Sequence, residues 1–185
     1  MSAECPILVG VFDGFSWIRC EGKGSFLNSP SIKAFGEDRI NAGETCIVAD
    51  LGACTGMDST FMGTLAGMAA RLSTHEGGLL QIADAGERNR RSLEDLGLDF
   101  LMEIDPASAA WRGHMDEIRS ELKAPSKHGG QSQIERVKHV LEAHKTLSET
   151  NESNSREFAS VVNMLEKDLE NRQKESASET SGPTD

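Results

Sequence analysis

Apolar residues along the chain fall into short runs separated by polar, glycine-containing connections. ILVGVF (7–12) and FSWIRC (15–20) flank Asp13-Gly14, a pair that readily takes the positive φ angles of a tight turn, so a β-hairpin is expected over 7–20. NSPSIKAFGEDRI supplies a Ser29-Pro30 helix start with Ile32, Phe35 and Ile40 available to pack inward. The unbroken apolar run Cys46–Ala49 reads as a strand covered on both faces, as in the middle of a mostly parallel sheet. Met62, Leu65, Ala69 and Leu72 then recur at helical spacing, and Phe61 and Met68 widen that face. GGLLQIAD predicts a buried strand after Gly77-Gly78. AGERNRRSLEDLGLD predicts a helix that turns Leu93 and Leu96 to the core and ends at Gly97. FLMEID reads as a last strand closed by Pro106. This alternation of strand and helix predicts an α/β layer built on a sheet.

The second half is patterned differently. Residues 107–122 predict a further helix, and KAPSKHGGQSQ (123–133) concentrates Pro, Gly and Ser as a linker does. A seven-residue pattern runs through Ile134, Val137, Leu141 and His144, then resumes in register at Phe158, Val162, Leu165 and Leu169. Ser148, Asn151 and Ser155 sit on the seam between the two halves. The pattern therefore fits either one interrupted coiled coil or a helical hairpin turning near TNESNS. The expected organisation is a domain over 1–122, a linker over 123–133, a helical, coiled-coil-like extension over 134–172 and a polar, disordered tail over 173–185.

Charge narrows the function classes. The 185 residues carry 30 acidic against 19 basic side chains, a net −11. After Gly130 there are 11 acidic and seven basic residues, so the tail carries −4 and the remainder −7. Both parts are acidic, which argues against nucleic-acid binding and against attraction to anionic membranes. No apolar run approaches the roughly 20 residues of a membrane span, and MSAECPILVGVFDGFSW lacks the charged start of a secretory leader, so a cytoplasmic location is expected. Cys5, Cys20, Cys46 and Cys54 lack C-x-x-C spacing and read as reduced, buried thiols.

The candidate chemistry lies in ACTGMDSTFMGTLAG (53–67), where Asp58, Ser59 and Thr60 open an apolar-faced helix. Asp58 or Ser59 can cap that helix by accepting hydrogen bonds from its first amides. A hydroxyl at a helix N-terminus is also a favourable place for a phosphate, which the amides and the positive dipole end stabilise. Such a phosphate adds about −1.5 to −2 charges beside Asp58, enough to repel an acidic or apolar partner surface.

CIVADLGACTGMDSTFMGTLAGMAARL followed by GGLLQIADAGERNRRSLEDLGLD resembles the STAS domains of bacterial anti-sigma factor antagonists. There, a strand ending in Asp-Leu leads to a Met-Asp-Ser-Ser/Thr-Gly-like helix start, then to a Gly-Gly strand and a helix ending in Leu-Gly-Leu. The resemblance spans roughly residues 6–118. It implies a mixed α/β sheet with helices packed mainly on one face, here with a C-terminal helical extension. It also implies Ser59 as phosphoacceptor, with Thr60 as second choice, and Asp58, Ser59, Thr60, Phe61 and Met62 as partner contacts. The implied partners are an anti-sigma factor with serine-kinase activity, bound while Ser59 is unphosphorylated, and a phosphatase of the PPM type. The implied output is control of transcription through partner switching, in a protein that is substrate and binder rather than enzyme. ATP would be held only by the kinase, so the chain itself needs no cofactor. Three departures stand out: Phe61 where the family has Gly, EGKGSFLNSP without the acidic residue often found there, and the tail after about residue 123.

Other chemistry finds little support. GKGS (22–25) lacks the spacing of a phosphate-binding loop, and GACTG (52–56) fits a plain strand-to-helix connection. The five histidines, His75, His114, His128, His139 and His144, read as solvated or seam residues rather than metal ligands, and MDSTF is no nucleophile elbow. Arg88, Arg90 and Arg91 read as a solvated basic cluster. The alternative function is a non-switching STAS scaffold or the small subunit of a transport assembly, in which Ser59 only caps the helix. For the tail, packing back on the domain and self-association are the two expectations.

Overall fold

The computed structural model describes residues 7–127 and 129–182. β1 (Ile7–Phe12) and β2 (Phe15–Gly24) form the expected hairpin, paired antiparallel from Ile7↔Cys20 to Phe12↔Phe15 around Gly14 at φ 86°. α1 (Ser29–Asn41), β3 (Cys46–Met57), α2 (Ser59–Ser73), β4 (Leu79–Ala83) and α3 (Gly86–Asp95) follow. A 3₁₀ turn (Leu98–Phe100) and a two-residue β5 (Glu103–Ile104) close the sheet, whose order is β1-β2-β3-β4-β5 with every pair after the first parallel. The result is the mixed α/β sheet that the sequence implies, with its main helices on one face.

Ile18, Ile47, Ala49, Leu80 and Ile82 on that face meet Ile32, Leu65, Ala69, Leu72 and Leu93 from the helices. The other face holds a smaller cluster of Trp17, Val48, Ala83, Trp111 and Ile118. The Trp17 and Trp111 rings meet edge-on at 5.5 Å, and Trp111 donates to Gln81 Oε1 at 2.8 Å. Inside this layer Asp50 is wholly buried, accepting from Arg19 (2.8 Å), Trp17 Nε1 (3.2 Å), the Gly52 amide (2.9 Å) and twice from Arg119 (2.8 and 2.9 Å). Burial alone would raise its pKa, but the bonds from Arg119, Gly52 and Arg19 outweigh it and hold the carboxyl below the ordinary range.

The structure corrects several expectations. The helix over 107–122 is reduced to α4 (Met115–Ser120), because Gly113 takes φ 84° and ends any helix running from the N-terminal side. The strand expected over FLMEID is shortened to β5, because its first residue belongs to the 3₁₀ turn, where Phe100 is exposed. Within the expected linker, Lys123 bridges to Val9 through two backbone hydrogen bonds of 2.7 and 2.9 Å. The tail expected to be disordered from 173 continues as helix to Thr180, since it contains no Gly or Pro before Gly182. Cys20, Cys46 and Cys54 are free thiols in β2 and β3, and burial pushes Cys46 up to about 11; Cys5 lies outside the described residues.

The extension is a hairpin. α5 (Gln133–Thr150) starts at a capping box in which Ser132 and Glu135 satisfy each other's backbone amides. α6 (Glu152–Thr180) follows after the single residue Asn151, whose side chain accepts from the Asn154 amide. Arg172 on α6 donates to Gln133 at the start of α5, so the second helix returns along the first. The hairpin packs back on the domain: Leu147 and Phe158 enter the main core, and α5 lies along α2.

Candidate functional site

The site forms where β3 outruns its neighbour. β4 pairs with β3 only as far as Asp50, while β2 continues alongside it to Gly24↔Met57 through two register irregularities. This two-stranded ribbon carries the start of α2 to the β2–α1 loop. There the Asp58 amide donates to Gly24 O at 2.9 Å. Asp58 is the N-cap: its Oδ1 accepts from the Phe61 amide and its Oδ2 from the Phe26 amide, both at 2.8 Å. One carboxylate thus caps the helix and staples it to the loop, which Asn28 orders further through Ser25 N–H and Lys23 O.

Because Asp58 does the capping, Ser59 becomes the first helical residue and takes no part in it. Its Oγ lies 2.9 Å from Nε2 of His144 on α5. His144 Nδ1 lies 2.7 Å from the Val140 carbonyl, which only accepts, so Nδ1 carries a proton and, in the neutral ring, Nε2 accepts from the Ser59 hydroxyl. The same helix makes a parallel contact five residues earlier, where His139 Nε2 lies 2.7 Å from Oγ of Ser29, the first residue of α1. Burial, helped by nearby Lys33 and opposed by Glu142 and Asp58, lowers the His139 pKa to about 4. Two buried histidines of α5 therefore sit on the first-turn serines of α1 and α2.

The five sequence-derived contact residues do not share one surface. Asp58 and Ser59 are half-buried, whereas Thr60, Phe61 and Met62 are buried at 4%, 1% and 8% exposure. The Phe61 ring turns into the core under Gly24, where a Cβ would come within 2.8 Å of it, so it is a core residue rather than a ring beside the acceptor. His139 and His144, read from sequence as solvated or seam residues, are buried at the site. Only the seam position of His144 hinted at this, since His spaced five apart matches no helical or ligand pattern. Of the basic cluster, Arg90 pairs with Asp105 at 3.1 Å and Arg88 approaches Gly56 at the ribbon. Among the described residues no group of His, Cys, Asp and Glu is arranged to hold a metal, and no helix is long and apolar enough to cross a membrane.

A sheet of this order, carrying an Asp-capped serine at the start of the helix after its long central strand, defines the class. The STAS domain family model matches residues 7–110, more than half of the chain, and the chain belongs to that family. Among solved structures it is similar to an anti-sigma factor antagonist from Mycobacterium paratuberculosis, at 21% identity and TM-score 0.51, covering 64% of this chain and 99% of that one. It is also similar to a putative anti-sigma factor antagonist from Thermotoga maritima, at 20% identity and TM-score 0.50, covering 60% and 92%. It is similar, too, to the Bacillus cell fate determinant SpoIIAA in its phosphorylated form, at 22% identity and TM-score 0.46, covering 60% and 97%. No match was found among curated proteins.

Proposed function

We propose that this chain is a regulatory binding protein of the anti-sigma factor antagonist type, controlled by phosphorylation of Ser59. The observation that carries the reading is the division of labour at the start of α2: Asp58 caps and anchors the helix with both carboxylate oxygens, and the Ser59 hydroxyl beside it has no capping role. In the proposed cycle the unmodified face binds an anti-sigma factor with serine-kinase activity. The Ser59 oxygen then attacks the γ-phosphorus of ATP held on that partner; ADP leaves and the hydroxyl proton passes to a base. The phosphate is favoured by the helix dipole, opposes Asp58, and weakens the complex until a phosphatase of the PPM type removes it. The chain acts as substrate and binder, with no cofactor of its own, in a cytoplasmic pathway.

One observation favours a second reading, a STAS scaffold or transport-assembly subunit without a switch: Ser59 is already paired, to His144 of its own chain. Affinity capture from the native cells separates the two. The switch predicts an ATP-binding, kinase-like protein retained by the full chain and by Ser59→Ala but lost with Ser59→Asp. A partner indifferent to both substitutions contradicts it.

A further inference from the structure

The α5–α6 hairpin lies on the face that the proposed function needs. It meets that face as tightly as two helices can. A Cβ on Gly63 would stand 2.3 Å from the Ala143 carbonyl oxygen and 2.9 Å from the Ala143 Cβ, so the absence of a side chain at 63 is what lets the two backbones touch. One turn nearer the start of α2, His144 covers the Ser59 hydroxyl, backed edge-on by Phe158 of α6 at 5.6 Å. Beyond Gly63, Leu147 is wholly buried in the main core.

Among the described residues the polar ties are few. They are the two serine–histidine pairs, a Lys33–Glu142 ion pair, and Asn151 and Asn154, which both donate to Leu96 O at 3.2 and 2.9 Å. Along the chain the hairpin joins the domain only through the stretch between Lys123 and Ser132, which includes Pro125 and Gly129. The hairpin is thus held to the domain by close apolar packing and by few polar ties.

We propose that the hairpin is an intrachain occupant of the α2 face, bound in competition with the protein partner, and that docked α5 and a phosphate on Ser59 exclude one another. The proposal rests on the reading of Ser59 given above. With the imidazole 2.9 Å from Oγ, a phosphoryl group on that oxygen takes the place the ring now holds, and the contact that seats α5 on Ser59 is lost. A kinase reaching Ser59 must likewise lift α5 away. The hairpin therefore sets a threshold for partner binding, and phosphorylation at Ser59 both blocks the partner and keeps α5 undocked.

The test uses the full chain and needs neither kinase nor partner, so it stands or falls separately from phosphorylation in the cell. Phosphoserine is installed at position 59 during translation, and hydrogen–deuterium exchange is followed peptide by peptide. The expected result is at least ten-fold faster exchange across α5, with β2 and β4 unchanged. In parallel, Ser59→Cys is alkylated with iodoacetamide and modification at position 59 is read by peptide mass spectrometry. Labelling is expected to be at least ten-fold slower than in the same chain carrying Leu147→Asp. Should Leu147→Asp also expose the sheet amides, Gly63→Ala releases the hairpin from the other side of the contact and serves as the comparison. Unchanged α5 protection with phosphoserine in place, or equal labelling with the hairpin docked and released, overturns the proposal.

Discussion

At the scale of single residues, neighbouring positions divide tasks that the sequence presents as one motif. Asp58 makes the cap and Ser59 makes none, so their substitutions part company. Asp58→Ala is expected to cost about 1–2 kcal/mol, the loss of an N-cap together with the Phe26 tie, read as a lower urea midpoint. Ser59→Ala loses a single hydrogen bond, about 0.5–1.5 kcal/mol. A larger loss from Ser59→Ala than from Asp58→Ala would mean that the capping assignment is wrong. Asp50 is the more consequential acid. Asp50→Ala strands Arg119 and Arg19 beside the second core and is expected to cost about 3–5 kcal/mol by the same assay. Because its folded carboxyl is held below the ordinary range, the Asp50 contribution is complete above about pH 4 and fades as pH falls further.

At the scale of elements, much was legible because it is local. The Asp13-Gly14 turn, the Cys46–Ala49 run and the Met62–Leu72 stripe each encode their own structure in a few residues, and each stands in the fold. The ribbon beyond Asp50 was not legible. GACTG has no alternating apolar pattern, and its strand conformation comes from pairing with β2, some 30 residues earlier in the chain. α5 misled in a different way. Its seven-residue seam includes His144 but misses the rest of the line that is buried against the domain, His139, Ala143 and Leu147.

That buried line makes docking of α5 sensitive to pH. His139 has a pKa of about 4 when docked, against an ordinary value of about 6.5, so docking favours the neutral ring. Its contribution is therefore complete above pH 6.5 and is lost as pH falls from there through 4. Burial of the ring drives the change, helped by Lys33 on α1, while Glu142 on α5 and Asp58 at the start of α2 oppose it. Hydrogen exchange across α5, measured between pH 7 and pH 4.5 and corrected for intrinsic rates, is expected to lose protection in the native chain. With His139→Gln that loss is expected to be smaller.

At the scale of the whole molecule, the chain is a STAS domain with its own cover. Leu147 and Phe158 belong to the same apolar core as the sheet, so the hairpin contributes to stability as well as to occlusion. Removing residues after Lys127 forfeits their burial, on the order of 1.5–3 kcal/mol each, and uncovers the Gly63 face of α2. The shortened chain is expected to melt at lower temperature and to elute from gel filtration in a concentration-dependent position. An unchanged melting temperature would contradict the packing described here.

The proposed switch at Ser59 calls first for site-resolved phosphorylation mapping of the full chain purified from its native cells under several growth and stress conditions. A phosphate is expected on Ser59 with an occupancy that changes with conditions, absent in Ser59→Ala and not relocated to the buried Thr60. An unmodified Ser59 under every condition would contradict it, and would leave this serine as the structural partner of His144.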